Sequence, residues 1–442
     1  MNYKRIMMCG LVALAMTASG AVIIDGVLPA SEVYPGTVHT YQVSVPDQYD
    51  GSRPACLYVG LDGQLCNAVA VMDSLMGVGK MPTTIGVFLQ PGIIKDAQGN
   101  VLRYNRSNEF DATDDRFARF IETELLPAVE QQRTPDGRQV RLSHDGNDHM
   151  IFGLSSGGIA AFVVGWHRPD LFSRIFSGVG TFVTMRGGND LQMFVRKSEP
   201  RALKICLQDG TEDVWNPIFG HWYEGNRMLA TALDFAGYET KYDWSDCNHG
   251  VKRASEIFAE VMEWMWQGYP ARIGKGTTQN GLLAEILVPD SEWTMIDEEE
   301  VDCQWNEGYA YYPDSTLRVE IFSPLNGNWL WQSTLMLDGT YGNSQRFYYL
   351  HSYDNAPVGI YDMTFDGAGN LYVLTSAGIQ ICDQNGRVRG IVDAPPCNCE
   401  EQCCIAIVDG AIVVSSSTAM WRRAFNVKAP VPGVTPKSQG QG

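Results

Sequence analysis

From about Val22 to Pro270, short apolar runs alternate with segments whose apolar positions recur at helical spacing. Strands buried on both faces read as continuous apolar runs, and the helices covering them carry one apolar stripe, so this alternation predicts a mostly parallel sheet with helices on both faces. Ala55 to Val59 and Thr84 to Leu89 read as strands closed by Gly60-Leu61-Asp62-Gly63 and Pro91-Gly92. Arg116 to Val129 places Phe117, Phe120, Ile121, Leu125 and Val129 on one helix face. His149 to Phe152 reads as a strand, Ser156 to Trp166 as a helix of small residues, and Ala202 to Leu207 and Thr240 to Trp244 as further strands. Lys252 to Gln267 closes the unit as a helix.

Beyond Tyr269-Pro270 the helical period gives way to alternating stretches such as Leu317 to Ile321, Asn370 to Leu374 and Ala411 to Ser415. Turn signals, Asp366-Gly367-Ala368-Gly369 and Asp383-Gln384-Asn385-Gly386, separate them. The pattern therefore predicts an α/β domain over 22–270, an all-β domain over 271–428, and a Pro-, Gly- and Ser-rich tail over 429–442 that reads as disordered. A length of 442 residues, more than one core usually supports, agrees with two domains.

The first residues add a compartment. Lys4 and Arg5 precede an apolar run from Ile6 to Ala15 and the small residues Thr17 to Ala21, the pattern of a cleaved export signal over 1–21. The run is too short to span a bilayer, so a secreted or periplasmic chain without a membrane span is expected. The net charge of −18, with no basic stripe, disfavours nucleic acid and polyanionic substrates and leaves a neutral ester as the better fit. Losing Cys9 with the signal leaves an even number of the 11 cysteines, which in an exported chain suggests disulfides. Cys206 and Cys247 end the strands that carry two candidate loops, so a bridge between them and two separate thiols are both open.

The chemistry centres on Gly153-Leu154-Ser155-Ser156-Gly157, a G-x-S-x-G pentapeptide between a strand and a helix. Glycines around the serine allow the sharp turn that lifts a nucleophilic Oγ out of the sheet, with the helix N-terminus facing developing negative charge. A serine hydroxyl needs a base. His249, in Asp246-Cys247-Asn248-His249-Gly250 after the last strand, fits; His39, His144 and His149 precede the nucleophile, His167 ends a helix and His351 lies in the β domain. The acid belongs in Asp209-Gly210-Thr211-Glu212-Asp213, with Asp213 preferred and Asp209 and Glu212 as rivals. Backbone N–H groups of Ser156 and of Gln64, in the turn Gly60-Leu61-Asp62-Gly63-Gln64, are the expected oxyanion donors.

These segments resemble the α/β-hydrolase esterase family that contains enterochelin esterases, feruloyl esterases and esterase D. The carriers include Val59-Gly60-Leu61-Asp62-Gly63, Ile85 to Gly92, Arg106-Ser107-Asn108-Glu109-Phe110-Asp111, Glu124-Leu125-Leu126-Pro127, Gly153 to Gly158 and Phe235-Ala236-Gly237-Tyr238. The resemblance implies a doubly wound sheet, ester hydrolysis by Ser155, Asp213 and His249 with no metal or cofactor, and Trp222 and Asn226 near the acyl or alcohol pocket. An acyl or feruloyl ester of a carbohydrate is the implied substrate class. The segments Asp362 to Asp366, Gly369 to Leu374 and Gly378 to Val388 resemble the last blades of gluconolactonase-like (SMP-30-type) six-bladed β-propellers. The domain is shorter than such a ring, which leaves it to be completed by a second copy, as a homodimer, or by packing on the first domain. Asp362 stands near the family's metal-ligand position but in a shifted sequence, Tyr361-Asp362-Met363. Two readings compete with an esterase: an inert hydrolase scaffold that binds, and a lactonase in the β domain.

Overall fold

A computed structural model describes residues 20–297, 309–311, 319–322, 327–396, 399 and 403–431. Residues 1–19 of the expected export signal, Cys303, Cys397 and most of the tail lie outside the described residues.

The first domain is built on one eight-stranded sheet. Its strands are β1 (Val22–Leu28), β2 (His39–Val45), β3 (Cys56–Leu61), β4 (Thr84–Leu89), β5 (His149–Leu154), β6 (Arg174–Gly178), β7 (Lys204–Glu212) and β8 (Glu239–Asn248). They lie in the order β1-β2-β4-β3-β5-β6-β7-β8. β1 and β2 pair antiparallel, as do β2 and β4, and the remaining pairs are parallel. Every residue of β3, β4 and β5 is buried, as continuous apolar runs between two helical layers require, whereas the edge strand β1 alternates.

Helices α1 (Ala68–Gly77) and α2 (Val251–Trp266) pack against one another on one face. The opposite face carries α3 (Ser156–His167), α4 (Leu191–Lys197) and α5 (Trp222–Ala236). α3 is buried from Ser156 to Trp166, which suits a helix apolar all round. The helix expected over Arg116 to Val129 runs from Arg116 to Glu130 with Phe117, Phe120, Ile121, Leu125 and Val129 buried, but its middle turn, Ile121–Leu125, is π-helical. Pro127 supplies no N–H to the ladder there, and the period-based expectation of one regular helix misses that gap.

Among the described residues the second domain contains three four-stranded antiparallel sheets. Ile360–Phe365, Leu371–Thr375, Gly378–Cys382 and Val388–Val392 form one; Tyr309–Tyr311, Val319–Phe322, Trp329–Leu335 and Tyr341–Tyr349 form another. In the third, Thr294–Ile296 pairs with Met420–Ala424, followed by Ala411–Ser415 and Cys404–Val408, which joins the two ends of the domain. The expectation that helices cease after Pro270 needs correction: Gly281–Ile286 is helical, with Asn280 Oδ1 accepting from the Leu283 N–H at 3.4 Å. Among the described residues no helix is long and apolar enough to cross a membrane.

The sheets pack against the helical face of the first domain. One apolar core runs through both domains, from Phe162, Trp166 and Phe194 to Leu330, Leu350, Met363 and Val373. Phe194 stacks on Tyr353 with ring centroids 4.0 Å apart, and buried Glu199 holds Arg423 in a two-pronged ion pair at 2.9 and 2.7 Å. Asp362 is fully buried, and its Oδ2 accepts the Ile405 N–H at 2.9 Å across adjoining sheets.

Candidate active site

The C-terminal end of the central strand β5 delivers Ser155. Its φ of 57° and ψ of −121° lie where side-chain-bearing residues are rare, and the N–H is anchored on the Gly178 carbonyl at 3.0 Å. Gly153 makes this turn possible, because a Cβ there would stand 2.1 Å from the Gly157 carbonyl oxygen. Gly153→Ala is therefore expected to cost about 3 kcal/mol in a urea melt, since backbone and not a flexible side chain stands in the way; a cost below 1 kcal/mol would contradict that packing.

Two loops meet Ser155. His249 follows β8, and its Nε2 lies 2.9 Å from Ser155 Oγ. On the other side of the ring, Nδ1 lies 2.6 Å from Oδ1 of Asp213, one residue beyond β7. Of the three candidate acids, Asp213 is the one that reaches the imidazole. Glu212 is exposed, and Asp209 is fully buried behind Asp213. Burial alone would raise the Asp213 carboxyl, but hydrogen bonds with His249, Asp209 and the Val214 N–H outweigh it and hold the group below its ordinary range. Asp209 goes the other way: burial, then its hydrogen bond with Asp213 and that neighbour's charge, push it up to about 9. Two buried adjacent carboxylates do not both ionise. A proton held on Asp209 would give Asp213, whose buried Oδ2 otherwise has no partner, a donor.

Ser156 opens α3, where the first N–H groups of a helix have no acceptor within it. In the facing turn the Gly63 N–H goes to the Leu89 carbonyl at 3.0 Å, and the next residue, Gln64, is exposed. Trp222 lies at the site: its ring stands edge-on to His249 with centroids 6.2 Å apart, and its Nε1 reaches Thr181 Oγ1 at 3.3 Å. Asn226 does not line a pocket. One helical turn beyond Trp222 on α5, it is fully buried, and its Nδ2 reaches the Gly180 carbonyl at 2.8 Å and Asp209 Oδ2 at 2.6 Å. It supports the acid loop from beneath.

Cys206 and Cys247 are both free thiols. In the parallel pairing Cys206 stands opposite Lys241, six positions before Cys247, so being near the ends of adjacent strands does not put them in register. Cys247 sits beside Gly210 instead and accepts from Gln208 Nε2 at 3.5 Å. Cys399 and Cys403 form a disulfide in the second domain, and Cys404 is also disulfide-bonded.

One pair escaped the sequence reading. Arg106 grips Asp62 with two bonds of 2.7 Å and approaches the Leu154 carbonyl at 3.4 Å, tying the Gly60–Gln64 turn to the residue before Ser155. Arg106 falls within a segment that carries the family resemblance, but a partner 44 positions away leaves no local pattern.

The eight-stranded sheet with its helices fits an α/β-hydrolase domain. Residues 33–250 match the Esterase family model, described as "Putative esterase". No curated protein matches the chain. Among solved structures, a ferulic acid esterase is 17% identical, with a TM-score of 0.43, over 55% of this chain and 98% of its own. An enterobactin esterase from Shigella flexneri is 19% identical, with a TM-score of 0.44, over 57% of this chain and 61% of its own. A ferulic acid esterase from the anaerobic fungus Anaeromyces mucronatus is 14% identical, with a TM-score of 0.42, over 57% of this chain and 94% of its own.

Proposed function

We propose that the first domain is a serine esterase that cleaves a neutral carboxylic ester through an acyl-enzyme. The observation that carries this reading is the unbroken hydrogen-bonded chain from Ser155 Oγ through His249 to Asp213, at 2.9 and 2.6 Å. Ser155 Oγ attacks the ester carbonyl carbon as His249 Nε2 takes its proton, and Asp213 stabilises the imidazolium. The tetrahedral oxyanion faces the N–H groups of Ser156 and Gln64. Collapse breaks the bond to the alcohol, which leaves with the proton from His249. A water then gives its proton to His249 and attacks the acyl carbon; the acid departs and the proton returns to Ser155 Oγ.

A neutral substrate is supported by the −18 net charge and by the apolar surface beside the acid, where Val214, Trp215 and Ile218 are 40%, 66% and 78% exposed. An acyl or feruloyl ester of a carbohydrate, met outside the cytoplasm after export, fits that surface and the signal-like first residues. The second domain is read as propeller-like blades without a lactonase site of their own, because Asp362 is held by the Ile405 N–H.

The test is hydrolysis of p-nitrophenyl esters of increasing chain length, and of methyl ferulate, by the parent chain and by Ser155→Ala, with and without a chelator. Turnover that survives the chelator and is lost in the variant is expected. Turnover that survives Ser155→Ala but falls with the chelator would move the activity to the second domain.

A further inference from the structure

A turn of the second domain is bonded, through Asp354, to segments of the first domain that adjoin Ser155. Asp354 lies in the short turn Tyr353–Asn355 between the strands Tyr341–Tyr349 and Ile360–Phe365. Its Oδ2 accepts from Arg186 Nη2 at 2.6 Å and from Arg116 Nη2 at 3.0 Å, while its N–H donates to Thr113 Oγ1 at 2.6 Å.

Arg186 leads towards Ser155 by two routes. Its Nη1 donates to the carbonyls of Ser107 and Asn108 at 3.4 and 3.3 Å. Those residues follow Arg106, which holds Asp62 and the oxyanion turn and approaches Leu154. Arg186 also belongs to the segment after β6, where the Thr181 N–H donates to the Ser155 carbonyl at 3.2 Å and Thr181 Oγ1 accepts from Trp222. The contact is formed by unusual backbone on both sides. Asp354 and Asn355 have φ of 54° and 53°, Arg186 has 49°, and the Asn355 amide lies 3.1 Å from the place a Cβ on Gly187 would occupy. Residues with side chains adopt such conformations where surrounding contacts hold them.

Docking the domains does not need this contact, since the shared core, the stacking of Phe194 on Tyr353 and the Glu199–Arg423 pair already join them. We propose that Asp354 is a positioning residue for the esterase reaction: through Arg186 it fixes the two segments that flank Ser155, so the second domain is a working part of the active site. This rests on the esterase reading above.

The test uses the full chain. Asp354→Asn keeps the shape and removes the charge, Asp354→Ala removes the group, Arg186→Ala breaks the contact from the other side, and a double variant joins the last two. Tyr353→Phe is the control, because it removes the hydroxyl that Trp166 Nε1 reaches at 3.0 Å and weakens the same interface without touching the clamp. On p-nitrophenyl butyrate, each clamp variant is expected to lower kcat by about ten- to a hundredfold with little change in KM, the scale of small misplacements of reacting groups. The double variant should be no worse than the poorer single one. Tyr353→Phe should lower the melting temperature and leave kcat unchanged. If Asp354→Asn and Asp354→Ala keep kcat within about twofold, Asp354 only cements the domains and the proposal falls.

Amide hydrogen exchange over 105–111 and 179–190 provides a readout independent of turnover. Faster exchange in both segments of Asp354→Asn, but not of Tyr353→Phe, supports the clamp; unchanged exchange overturns it. A parent chain without Ser155-dependent turnover would sink the esterase reading, and the exchange result would still decide the clamp.

Discussion

Ser155→Gly raises the melting temperature of the chain while abolishing ester hydrolysis. Ser155 is held at φ 57° and ψ −121°, where a side chain is strained and glycine is not. Such strain costs on the order of 1–3 kcal/mol, which for a chain of 442 residues corresponds to roughly 1 °C for each kcal/mol recovered. Ser155→Ala keeps its Cβ and should melt close to the parent, so the difference between the two variants isolates the backbone. Both lose the oxygen that attacks the ester, and kcat should fall by about 10⁵- to 10⁶-fold. Calorimetry and a p-nitrophenyl acetate assay on the three proteins suffice. A glycine variant that melts below the parent would remove the strain account, and an alanine variant that still turns over by the parent's mechanism would remove the nucleophile.

That turn was readable in the sequence because its determinants are local. Gly153, Ser155 and Gly157 sit within five residues, and a Cβ on Gly153 would strike the backbone of Gly157 inside the turn itself. The strands Thr84–Leu89 and Ala411–Ser415 were readable for the same reason, as apolar runs with clear ends. What depends on register or on distant partners was not. Cys206 and Cys247 look paired along the chain, yet their strands align Cys206 with Lys241. Asn226 shares a helix face with Trp222, but it lies one turn deeper and points at Asp209 instead of solvent. The Arg106–Asp62 brace and the Asp354–Arg186 contact join residues 44 and 168 positions apart, and composition carries no trace of such pairings. The second domain's strands were legible by alternation, whereas its shared core with the first was not, since apolar residues do not show in sequence which partner they cover.

The adjacent acids Asp213 and Asp209 should respond to the same substitution in opposite ways. Asp213 Oδ1 accepts from His249 Nδ1, which leaves Nε2 free to take the serine proton. An asparagine there can offer its NH₂ to Nδ1, forcing the ring proton onto Nε2, and kcat should fall by about 10⁴-fold. Asp209→Asn replaces a protonated carboxyl with an amide that also donates, so it should stay within about tenfold of the parent, the scale of one neutral hydrogen bond. Its effect belongs to stability against pH. The Asp209 carboxyl, ordinarily near 3.8, is raised to about 9 in the fold, so it binds a proton there that the unfolded chain releases. Its stabilisation is complete below about pH 4 and declines as pH rises through about 9. Denaturant melts of parent and Asp209→Asn between those limits should therefore converge with rising pH, the parent losing stability that the variant does not. Parallel curves would mean that Asp209 is ionised in the folded chain, and Asp213 Oδ2 would then face a second negative charge instead of a donor.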